Sequence, residues 1–133
     1  MKRRYPCRGP AAFGALIALA FSMAVFAGTE VLAGDVVVER VTAEKAASGL
    51  WTFSVTLRHA DEGWDHYADK WEVLSPDKEI LATRVLAHPH VDEQPFTRSL
   101  RGVEIPDGLT LVYVRGHDSV HGYSSKDVKV ELK

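Results

Sequence analysis

The stretch LWTFSVTLR, residues 50–58, decides the fold. Trp51, Phe53, Val55 and Leu57 alternate with Thr52, Ser54, Thr56 and Arg58, the period of a strand with one buried and one wet face. Working outward, the same pattern recurs over 35–43, 70–75, 79–87, 96–101, 109–116 and 126–132, and no helical period of comparable length competes with it. Turn chemistry separates the runs, as in SPDK at 75–78 and IPDG at 105–108. Seven strands in about 100 residues predict an all-β fold, a seven-stranded antiparallel immunoglobulin- or fibronectin-like β-sandwich. A small open barrel is the rival architecture. Trp71 suits the buried tryptophan found on the third strand of such sandwiches.

The chain of 133 residues opens with Lys2, Arg3, Arg4 and Arg8, followed by an uncharged run from Ala11 to Ala27. This is the order of a secretory signal peptide. Val25/Ala27 and Val31/Ala33 both meet the small-residue rule for cleavage, and cleavage after Ala33 is preferred. The expected division is a leader at 1–33 and one sandwich domain at 34–133, in the periplasm or secreted. A membrane association would require the leader to stay uncleaved. Cys7 precedes the apolar run, where a lipid-bearing cysteine would follow it.

From Gly34 onward twelve Lys and Arg stand against seventeen Asp and Glu, a formal charge of −5. That balance argues against nucleic acid or anionic lipid as a partner. Cys7 and both methionines precede Gly34, so the expected domain offers no disulfide and no sulfur ligand.

With strands reversing in turn, the connections 59–69, 88–95 and 117–125 gather at one pole. They hold 28 of the 100 residues and all six histidines: His59, His66, His88, His90, His117 and His121. Loops on a rigid sandwich are where function concentrates. His88-Pro89-His90 is the sharpest feature, because Pro89 fixes its own φ and extends His88, letting two imidazoles share a metal. His66 and His121 are the next candidates, then His117. His59 directly ends a strand and reads first as a residue closing the sheet. Asp65, Asp118 and Glu93 are candidate oxygen ligands or ring-orienting groups. Without sulfur donors the expected ion is Cu²⁺ or Zn²⁺, with Ni²⁺ behind them. Against this stands the plainer reading of polar loop histidines that cap turns.

Trp64, Tyr67 and Tyr123 form a candidate surface for a periplasmic protein or peptide, or else plug the end of the core together with Phe96. DEGWDHYAD at 61–69 lacks the spacing of an EF-hand calcium loop. Arg84, Arg98, Arg101 and Arg115 are expected to face solvent or pair with Glu72 and Glu104. Ser119, His121 and Asp118 crowd one loop without a nucleophile elbow. No catalytic residue is therefore assigned, and a binding protein is expected rather than an enzyme.

The phrases GWDHYADKWEVL (63–74), HPHVDEQPFTRSL (88–100) and DSVHGY (118–123) resemble a family of small secreted proteobacterial proteins of uncharacterised function. The resemblance implies an exported single-domain protein and transfers no activity, ligand or catalytic residue.

Overall fold

The computed structural model describes residues 34–133. The leader and both of its cleavage positions lie outside the described residues. The strands are β1 (Val37–Lys45), β2 (Trp51–Arg58), β3 (Ala68–Leu74), β4 (Ile80–Val85), β5 (Phe96–Val103), β6 (Leu111–Asp118), β7 (Gly122–Tyr123) and β8 (Val128–Glu131). One sheet has the order β1-β2-β5; in the other, β4-β3-β6 is extended at β6 by β7 and by β8. Every strand pair is antiparallel.

The alternation in residues 50–58 explains the packing. Phe53, Val55 and Leu57 are fully buried, and Trp71 and Val73 from β3 and Val112 and Val114 from β6 meet them from the other sheet. Removing this apolar surface from water is the main force holding the two layers together. Trp71 lies in the core as expected, as does Phe96.

Two differences from the sequence expectation matter for the site. The seventh predicted run is preceded by an extra two-residue strand, β7, whose Tyr123 pairs with His117. Strand β6 accordingly reaches Asp118, so His117 belongs to a strand and not to a loop. Sequence periodicity ran out at Gly116 because glycine has no side chain with which to show which face it occupies.

Gly116 has a packing reason of its own: a Cβ there would lie 2.4 Å from Val36 Cγ1. Val36 is buried in the core, so this close approach lets residues 34–36 lie against β6 at the histidine-bearing pole.

The outer faces of the sheets differ. On the first, Ser54 pairs with Ser99 and Thr56 with Thr97, each hydroxyl pair 2.7 Å apart. On the second, a buried Glu72 accepts from Arg115 Nε at 2.9 Å and lies 3.2 Å from Lys70 Nζ. Burial pushes the Glu72 carboxyl up, but hydrogen bonds and charge from Arg115 and Lys70 outweigh it and hold the group below its ordinary value.

Candidate metal centre

The strand period carries past the strand ends. On β2 the inward positions run Trp51, Phe53, Val55, Leu57, and the next is His59, 2% exposed. On β6 they run Val112, Val114, Gly116 and Asp118, the last 1% exposed. The two strands belong to opposite sheets and both end at the same pole, so His59 and Asp118 face each other across the mouth of the sandwich. The β2–β3 connection adds His66. Each of these three residues offers one donor atom, and the three atoms lie within 4.8 Å of one another.

Each donor is held. His59 Nδ1 lies 2.6 Å from Asp61 Oδ1, and His59 Nε2 lies 3.1 Å from the Gly34 carbonyl oxygen. A carbonyl only accepts, so Nε2 carries a hydrogen in this arrangement. Asp61 is fixed in turn by the backbone N–H groups of Ala68 (3.0 Å) and His90 (2.7 Å). An imidazole backed by a carboxylate is the usual support of a metal-binding histidine, because it fixes the ring and makes the far nitrogen more basic.

His66 Nε2 is buried and has no hydrogen-bond partner, although Asp118 Oδ1 is 3.3 Å away. An orphaned buried nitrogen costs about 1–3 kcal/mol, which a cation would repay by taking its lone pair. His121 stands at the rim, half exposed, with Nδ1 3.4 Å from Asp118 Oδ1. The His66 ring links the group, 4.7 Å from the His59 ring and 4.8 Å from that of His121. Burial works to raise the Asp118 carboxyl, but hydrogen bonds from the N–H groups of His121 and Val120, and the nearby His121 and His59 rings, hold it below its ordinary value. Asp118 therefore presents a carboxylate at neutral pH. Two imidazoles and a carboxylate, with a third imidazole beside them, match the donor set of Zn²⁺ or Cu²⁺.

The other sequence candidates divide. His88 and His90 do face one another, with ring centroids 4.6 Å apart, along an open depression of about 410 Å³ lined by residues 88–93. The His90 ring, however, stacks on Phe96 at 3.9 Å and 7°, with both nitrogens buried and unpartnered. No carboxylate joins that pair in a group of three donors among the described residues; Glu93 is held by Arg98 at 2.8 Å. His117 points to the outer face, with Nδ1 2.6 Å from Asp69 Oδ1 and its ring 4.7 Å from that of Tyr123. Asp65 is exposed. Trp64 does not plug the core: it is 68% exposed, with Tyr67 edge-on at 5.7 Å. Tyr123 lies on the outer sheet face under the Arg115 guanidinium at 3.7 Å. Ser119 Oγ accepts from the Tyr67 N–H.

His59 is the residue that loop reasoning undervalued. The signal was present in the parity of LWTFSVTLRH and LVYVRGHD, where a histidine and an aspartate occupy the buried phase of two strands.

Burial, then the charges of Arg98 and His88, push the His90 ring below the ordinary histidine value of 6.5. As pH falls from 6.5 through this depressed value, only the unfolded chain takes up a proton, so stability is lost across that window. His90→Phe keeps the stack on Phe96 and removes the titration. Denaturant melts in chelator should show the variant at least as stable as wild type at pH 7.5. At pH 5 its advantage should widen, by up to about 1.4 kcal/mol per pH unit within the window.

No protein-family profile matches the chain, and no solved structure does. Over 93 residues the chain is 45% identical to a protein of Halomicrobium mukohataei named "Putative lipoprotein", a stretch that makes up 70% of this chain and 45% of the relative. The chain thus spans a little under half the length of that relative.

Proposed function

We propose that this protein is an exported, non-enzymatic β-sandwich that binds one divalent transition metal ion, Cu²⁺ or Zn²⁺, at the mouth of the sandwich, for storage, delivery or sensing. The observation that carries the reading is the convergence of His59, His66 and Asp118 from both sheets with a buried, unpartnered His66 Nε2. Metal would be held by these three, with His121 or water completing the shell and Asp61 orienting His59. Binding requires His59 Nε2 to give up its proton to solvent, and with it the hydrogen bond to the Gly34 carbonyl. The likeness to a lipoprotein-named relative supports export, as does the charged-then-apolar leader.

Calorimetric titration of chelator-stripped protein with Cu²⁺ and Zn²⁺ tests this. One-to-one binding that is kept within about threefold in the His88→Ala/His90→Ala double variant is expected. Binding lost in that double variant would move the site to the HPH turn, and no binding in wild type would end the metal reading.

The exposed Trp64, with Tyr67 edge-on beside it, supports a second reading, a module that docks a protein or peptide at the same pole. It predicts partner capture that survives chelator and is lost in Trp64→Ala. Capture only in the presence of metal would count against it.

A further inference from the structure

One element at the metal centre has no part in the donor set described above. Gly34, at a φ of +102°, lies over the histidines: its carbonyl oxygen meets His59 Nε2 at 3.1 Å, and a Cβ on it would sit 2.5 Å from His121 Cε1. It is pinned there from behind. Val36 is buried against Gly116, and the Asp35 carboxylate accepts from the backbone N–H and the hydroxyl of Ser125. The nitrogen of a residue lies about 3 Å along the chain from its own carbonyl oxygen, so the Gly34 nitrogen is within about 7 Å of His59 Nε2. The peptide bond in front of that nitrogen is the preferred of the two that meet the rule for leader removal, with Val31 and Ala33 at the required positions.

We infer that removal of the leader builds the last ligand of this site: the α-amino nitrogen of Gly34 joins His59, His66 and Asp118 in holding the metal. This rests on the metal reading above. Water adds across the Ala33–Gly34 peptide bond, leaving a carboxylate on Ala33 and a free amine on Gly34. An amide nitrogen has its lone pair delocalised into the carbonyl and is a poor donor. The amine that replaces it, once it loses its proton, is a strong σ-donor of the kind Cu²⁺ prefers. The severed chain is also free to turn at Gly34, since glycine carries no side chain to collide with the His121 ring. Rotation about the Gly34 backbone would swing the carbonyl off His59 Nε2 and bring the amine toward it. The ion would then bind the processed protein far more tightly than the precursor, so that metal loading follows export.

The experiment uses the full chain, expressed with its leader and recovered after export. Intact mass reads the terminus, and Cu²⁺ is titrated into the processed protein before and after its α-amine is converted to an aldehyde by pyridoxal-phosphate transamination, which spares lysine. The expected results are a mass corresponding to residues 34–133, a loss of tenfold or more in Cu²⁺ affinity on transamination, and a red shift of the Cu²⁺ visible band as one nitrogen donor is lost. A terminus other than Gly34 overturns the inference, as does a change in affinity under twofold; in either case tight binding to the folded protein leaves the His59–His66–Asp118 reading standing. Absence of Cu²⁺ and Zn²⁺ binding in the processed protein, in both forms, overturns both.

Discussion

Replacing His66 with alanine is expected to weaken Cu²⁺ or Zn²⁺ binding at least 100-fold, about 2.7 kcal/mol at the ion, while the metal-free fold survives. The asymmetry follows from what His66 does without metal. Its Nε2 is buried without a hydrogen-bond partner, 3.3 Å from Asp118 Oδ1, and its Nδ1 is 3.8 Å from a largely exposed Glu62 carboxylate. Removing the ring therefore loses packing against His59 and His121 but no essential hydrogen bond, a cost of about 1–2 kcal/mol. His59→Ala should remove metal binding equally, at a larger structural cost, because Asp61 would lose its closest partner. Calorimetry paired with chelator-stripped melts reads both effects. Undiminished affinity in His66→Ala would show that the ion sits elsewhere.

The second large effect lies away from the site. Arg115→Met should destabilise the fold by about 2–3 kcal/mol, below the 3–5 kcal/mol typical of a broken buried pair because Lys70 still serves Glu72. Glu72 Oε2 takes both Nε and the guanidinium terminus of Arg115, at 2.9 and 2.8 Å, and its side chain is 2% exposed. Loss of the arginine leaves a carboxylate with one cation and little water. For a domain of about 100 residues this corresponds to a fall in Tm of roughly 10–20 °C. The double variant Glu72→Met/Arg115→Met should recover most of it, since replacing both members removes the stranded charge. If the double variant melts as low as the single, packing and not charge explains the loss.

The fold was legible because burial on one face imposes a period of two on the residues that make it. Trp51 to Leu57 show that period without interruption, and the sandwich follows from its repetition. Strand ends were read less well. Gly116 hid the last buried position of β6, and the small β7 rests on a single hairpin turn at Ser119–His121 that leaves no apolar alternation behind. The pole that carries the candidate metal centre could be found from loop order alone, and His66 and His121 with it. The pairing of His59 with Asp118 could not, because it depends on which strands oppose each other across the core, and that is a property of sheet order. His90 shows the converse: a sequence motif suited to metal binding is partly spent on stacking against Phe96.

His59 and Asp118 also have a mechanical meaning. They stand on different sheets, and ladder hydrogen bonds run within each sheet, so at the mouth the layers are joined by the β2–β3 and β4–β5 connections, by the bond from the Ala68 N–H to Asp61 and by side-chain packing. An ion shared by the two residues would add a direct clasp between the sheets. Its binding energy would be added to the resistance of that end against opening, so local opening there would be rarer in the holo-protein than in the apo-protein.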